Sequence, residues 1–216
     1  MNITEKYRGG NAIPDLEVVE FWKESLKDLT DVIITDHYSF PKNGKLFTDK
    51  FDEYIKASKL NNLKGLDTYE HRSFVAGTSQ TFDSFWMRNH DRRFRCFKGE
   101  FFYHKANWKK FHTWCYLEDE DILPDDAVVI SLPFSDYGME HPKMREILDE
   151  CERWGVPVLI DCAYYVIGEG INFDFTKYDC IEDITFSLSK GFHLSQSIRG
   201  GIRSTKKYCD DNIHIM

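Results

Sequence analysis

A lysine flanked by hydroxyls, with an arginine at a fixed interval behind it, marks the last quarter of the chain. In the run from Asp183 to Gly201, the β-prone residues Ile184, Phe186 and Leu188 lead into Ser187, Ser189 and Lys190. Nine residues after the lysine come Arg199, Gly200 and Gly201. A lysine at the exit of a buried strand is costly unless it is paired or neutralised. The same desolvation depresses its pKa and frees the amine to condense with a carbonyl. Serine hydroxyls and a guanidinium fork suit a phosphate. Together these residues suit a phosphorylated carbonyl cofactor. The plain alternative is a surface lysine in a Ser/Gly loop.

Three further groups stand where predicted strands end: Gly77-Thr78-Ser79, Pro133-Phe134-Ser135, and Asp161-Cys162-Ala163-Tyr164. In an open α/β sheet, ligands bind beyond the carboxyl ends of the strands, so four such groups on one edge reinforce one another. Gly77-Thr78-Ser79 opens a predicted helix, whose free N–H groups and dipole favour an anion; an ordinary N-cap reads the same way. Asp161 follows a fully apolar run, and a buried carboxylate needs a partner, such as a protonated ring nitrogen; otherwise it caps the next turn. Tyr164 could hydrogen-bond a ring oxygen, or be a half-buried core tyrosine.

The elements that would position these groups are legible as periodicity. Apolar spacing predicts helices over Leu16–Leu29, Thr48–Lys59 and Lys143–Trp154, and another after Gly77. Strands are predicted at 32–35, 72–76, 94–97, 114–117, 127–132, 156–160, 184–188 and 199–203, with loops over His37–Gly44 and the aromatic stretch Phe101–Trp108. Strands alternating with helices imply an α/β fold with a mostly parallel sheet flanked by helices. The division expected is an N-terminal helix or arm over 1–35 and one α/β domain over 36–216.

The 216 residues are 42% hydrophobic and 15% aromatic, a packed-globule composition. A net charge of −8 argues against nucleic acid as a partner. The six cysteines form no Cys-x-x-Cys pair, and no signal peptide or membrane-length apolar run is visible. A cytoplasmic protein with reduced thiols and no membrane partner is expected. The histidines, including His37, His104, His112 and His193, show no metal-ligand spacing, read as surface or loop residues, and imply no metal.

In this order the motifs resemble the large domain of fold-type-I pyridoxal 5′-phosphate (PLP) enzymes, the aspartate aminotransferase superfamily, over roughly Tyr38 to Arg203. The resemblance implies Lys190 as the Schiff-base lysine, with Gly77, Thr78, Ser79, Ser187, Ser189 and Arg199 holding the phosphate. It implies Asp161 on the pyridine nitrogen, Tyr164 on the ring oxygen, and Tyr103 about where a ring-stacking residue is expected. Tyr38 stands where the family places a tyrosine reaching the other subunit's cofactor, which implies a homodimer. Ser135 stands where the family carries an asparagine, and the loop between Lys190 and Arg199 is one residue longer than the family's, with His193 where a glycine is usual. The chain stops soon after Arg203, so the C-terminal small domain, with its carboxylate-binding arginine, is expected to be absent. The implied activity is transfer of an amino group between an amino acid or amino sugar and a keto acid. A lyase or decarboxylase on the same scaffold, or a non-catalytic PLP-binding domain, are the alternatives.

Overall fold

The computed structural model describes residues 15–27, 40–111, 113–192, 199–211 and 213. In chain order its elements are α1 (Leu16–Lys27), α2 (Phe40–Lys56), β1 (Asn62–Lys64), β2 (His71–Val75), α3 (Thr78–Arg88), β3 (Arg93–Cys96), α4 (Phe102–Phe111), β4 (Trp114–Tyr116) and β5 (Asp126–Ser131). They continue with α5 (Met144–Trp154), β6 (Val158–Cys162), β7 (Asn172–Asp174), β8 (Ile181–Ser187), a single turn α6 (Leu188–Gly191) and β9 (Gly201–Thr205).

Seven strands form one sheet in the order β2-β9-β8-β6-β5-β3-β4. Strands β8, β6, β5, β3 and β4 run parallel, and β9 is antiparallel to both β2 and β8. Because β9 reverses between them, β2 points the same way as β8. The C-terminal ends of β2, β3, β5, β6 and β8 therefore share one edge, joined there by the start of β9.

Helices cover both faces, which is why β5, β6 and β8 are almost wholly buried and β5 and β6 largely apolar. On one face α5 sends Met144, Ile147, Leu148 and Cys151, a 3.6-residue stripe, into a cluster with Val128, Ile130, Val158, Ile160, Ile184 and Phe186; Phe51 and Ile55 of α2 join it. On the other face Phe82, Phe85 and Trp86 of α3 meet Ala127, Val129, Leu159 and Phe94. α5 ends at Gly155, whose φ of 63° is a left-handed cap that costs glycine least. No described side chain of α1 enters either cluster. No described helix is long and apolar enough to cross a membrane.

Several expectations need correction. Phe40–Lys56 is helical well before Thr48, because Pro41 sits in the first turn, where a missing N–H costs nothing. The aromatic stretch is helix α4 rather than loop; it contains no glycine or proline, and Tyr103 and His104 find ring partners on α3. His104, expected on the surface, is fully buried against Phe82. Strand β6 starts two residues later than expected, after Pro157, so Asp161 lies inside the ladder rather than beyond it. A second, two-stranded sheet pairs β1 with β7 and was not foreseen. The expected strand at 32–35, together with His37, Tyr38, His112 and His193, lies outside the described residues.

Candidate functional site

Strand register places the candidate groups along one edge. Val75, Gly201 and Ser187 are partners in one row across β2, β9 and β8. Ser131, Asp161 and Thr185 form the next, across β5, β6 and β8. Partnered residues point to the same face. That face is the one α3 covers, since Thr81 of α3 hydrogen-bonds Thr185 at 3.0 Å.

Gly77 links β2 to α3 with φ 80° and ψ 166°, a conformation open only to glycine. The turn brings the first N–H groups of α3, at Thr78 and Ser79, to the edge, where the helix dipole is positive. It also lies against Arg199: a Cβ on Gly77 would stand 3.5 Å from the Arg199 Cβ. Gly201 has still less room, since a Cβ there would meet the Phe186 carbonyl oxygen at 2.8 Å. The Gly200-Gly201 pair thus lets Arg199 approach the phosphate-type turn.

Ser187 caps α6 by accepting from the Ser189 N–H at 3.2 Å, and the Ser189 hydroxyl accepts from the Gly200 N–H at 3.3 Å. These bonds fix the turn that carries Lys190. The Lys190 ammonium lies 5.1 Å from the centre of the Tyr164 ring. Burial pushes its pKa down; the charge of Asp161 opposes this and Arg199 adds to it. Asp161 is 4% exposed, and its Oδ1 accepts one N–H, from Ala163, at 3.0 Å. Burial, reinforced by the charge of Glu100, pushes the Asp161 carboxyl up to about 8. Tyr164 is pushed up by burial and by Asp161.

Lys190, Asp161, Tyr164, Arg199, Gly77, Thr78, Ser79, Ser187 and Ser189 are therefore gathered at one edge. Two expected residues behave differently. Tyr103 is committed to α3: its hydroxyl donates to Asp83 at 3.0 Å and its ring stacks on Trp86 at 5.7 Å. Ser135 donates to Glu100 at 3.3 Å and lies 3.2 Å from the Ser131 hydroxyl. Glu100 itself was not foreseen. It follows β3 and accepts from the Ser131 N–H and hydroxyl, each at 2.6 Å. Its only sequence signal was an acidic residue beside Gly99 at the end of a strand.

The residues present fit pyridoxal phosphate. A buried carboxyl with one hydrogen bond is completed by a protonated ring nitrogen. A desolvated lysine beside it suits an aldehyde. Arg199, the α3 N-terminus and the serines suit the phosphate. A separate cavity of about 520 Å³, lined by residues such as Ile55, Lys59, Asn61 and Ile171, shares none of these residues and contains no acid–base pair.

No family profile and no curated protein matches this sequence. Solved structures do. Histidinol-phosphate aminotransferase from Clostridium acetobutylicum superposes with a TM-score of 0.59 at 16% identity, over 93% of this chain and 60% of that one. Aromatic aminotransferase from Pyrococcus horikoshii OT3 gives 0.52 at 14% identity, over 76% and 56% of the two chains. Tyrosine aminotransferase from Leishmania infantum gives 0.50 at 15% identity, over 63% and 39%. At these identities the likeness is one of fold. The chain has the α/β fold of these aminotransferase structures and spans 60% or less of their length.

Proposed function

We propose that the protein is a PLP-dependent aminotransferase, moving an amino group between a small amino donor and a keto acid. The observation that carries this reading is the convergence of a desolvated lysine and a buried carboxyl beside a glycine-opened helix N-terminus and an arginine. Asp161 would hold the ring nitrogen, Tyr164 the ring oxygen, and Arg199, Ser187, Ser189, Thr78 and Ser79 the phosphate. The bound cofactor would supply an electrophilic carbonyl and an electron sink.

The chain's own residues do the rest. Burial keeps a fraction of Lys190 as free amine, able to attack a carbonyl and later to take and return a proton as general base and acid. The hydrogen bond from the Ala163 N–H orients the Asp161 carboxyl. Gly201, which leaves no room for a side chain, keeps Arg199 against the turn. Ser135, which stands where the family carries its ring-oxygen asparagine, donates its hydroxyl to a neighbouring carboxylate instead. A homodimer and a cytoplasmic location belong to the same proposal.

The test is amino-group transfer by the chain supplied with PLP, scored as keto acid formed from a panel of amino donors with a keto acid acceptor. We expect transfer that Lys190→Ala abolishes. Carbon dioxide or an elimination product without transfer would replace this reading by a lyase or decarboxylase. A bound cofactor with no turnover would replace it by a non-catalytic binding domain.

A further inference from the structure

Glu100 plays no part in the reading above, yet the fold spends four hydrogen bonds on it. Its Oε1 accepts the Ser131 N–H at 2.6 Å. Its Oε2 accepts the Ser131 hydroxyl at 2.6 Å, the Ser135 hydroxyl at 3.3 Å and the Phe101 N–H at 3.2 Å. Ser131, which carries two of those bonds, is the strand partner of Asp161 and points to the same face. A carboxylate so fully donated to is stabilised as an anion. Asp161, with one donor, is the weaker-held member.

We propose that Glu100 is a positioning residue that acts through Asp161: the two carboxyls form a coupled pair holding one proton in the free protein, and the pair selects a ligand that brings a protonated ring nitrogen. Ser131 brings the two carboxyls to one side of the sheet, and the charge of Glu100 disfavours ionisation of Asp161, so the pair titrates as a unit. The upward shift of both carboxyls, from burial in each case and with Glu100 adding to Asp161, agrees with this. The other groups facing Asp161 are Lys190 and Tyr164, with Cys162 beside it on its own strand, all of them shifted away from their charged forms by burial. Glu100 is pushed up by burial as well, but its four hydrogen bonds favour its charged form. A cationic ring nitrogen replaces the shared proton and leaves both carboxylates ionised around one positive charge. A ring with carbon at that position cannot do so.

The ligand half of this inference rests on the cofactor reading; the carboxyl pair does not. Two measurements separate them. In ligand-free protein, carboxyl carbon NMR follows the titration of Asp161. In Glu100→Gln, which keeps the shape and one acceptor oxygen but removes the charge, we expect Asp161 to bind its proton at least about tenfold more weakly than in wild type. Asp161→Asn provides the reciprocal readout on Glu100, with the same tenfold weakening expected. Unchanged titration in both folded variants overturns the proposal.

The second measurement compares binding of pyridoxamine phosphate, which cannot attach to Lys190, with its analogue carrying carbon in place of the ring nitrogen. Wild type should prefer the nitrogen ring, and Glu100→Gln should lose about tenfold of that preference. An undiminished preference overturns the selective role. Coupled titration with neither compound binding would uphold the carboxyl pair and overturn the cofactor reading of the site.

Discussion

Asparagine in place of Asp161 is expected to make the ligand-free protein more stable at pH 9, by about 3–5 kcal/mol, and to change it little near pH 4. The sign follows from the proton count. An unfolded aspartate loses its proton near pH 3.9, whereas Asp161 in the fold holds it up to about 8, chiefly because it is buried. Between those values the folded state binds the extra proton, so stability falls as pH rises through the window. The two limits differ by about 5–6 kcal/mol at 1.36 kcal/mol per pH unit, an upper bound for one group of a coupled pair. Asparagine removes the charge and still accepts the Ala163 N–H. Urea unfolding at pH 5 and pH 9, without ligand, measures the effect. An equal difference between wild type and variant at both pH values would show that Asp161 is not held as an acid. A buried carboxyl that weakens the free fold is kept for something it binds.

The second large effect concerns the strands that carry the site. Asp183→Asn is expected to cost about 3–5 kcal/mol, because removing one partner of a buried ion pair leaves the other uncompensated. Asp183 and Arg203 are both fully buried on neighbouring strands, with Arg203 Nε 2.8 Å from Asp183 Oδ1. Arg88 of α3 pairs with the other oxygen of Asp183. Both arginines also reach Asp211, at 2.8 and 2.9 Å, and Ser84 donates to Asp211 at 2.6 Å. The Arg203 Nη2 has no hydrogen-bond partner among the described residues, so little reserve remains. Since β8 leads into Lys190 and β9 follows Arg199, loosening this network loosens the site. The urea midpoint reports the loss. Lys23→Ala, in a pair where both side chains are more than 60% exposed, serves as the control and should shift stability by less than about 1 kcal/mol. Equal effects of the two substitutions would contradict the account of the buried network.

What was legible in the sequence follows the range of the forces involved. β5 and β6 were visible because strands buried on both faces are largely apolar, β8 through its alternating Ile184 and Phe186, and α5 because its inward residues keep a 3.6-residue spacing. Lys190, Asp161, Gly77 and Arg199 could be placed on one edge because parallel strands bring all their C-termini to it. The misses are of another kind. β1 and β7 pair asparagines 110 positions apart, and Arg88 meets Asp183 across 95; neither pairing leaves a local pattern. Glu100 looked like any surface acid until the fold laid it against Ser131. Tyr103 and His104 lie in an aromatic stretch without periodicity, so packing against Phe82 and Trp86, not propensity, decided both the helix and the direction of the rings. Proline was misread twice, at Pro41 and Pro157, where it starts an element later or earlier than apolar spacing alone implies.

The central claim is that Lys190 holds pyridoxal phosphate within reach of Asp161. The most direct test is the visible absorption spectrum of the purified protein mixed with PLP, before and after borohydride, beside folded Lys190→Ala. We expect a new band in wild type, its loss on reduction, a phosphopyridoxyl mass retained on the Lys190 peptide, and none of these in the variant. A folded wild-type protein that shows no band, or a variant that shows the same band and keeps the same covalent mass, would contradict it.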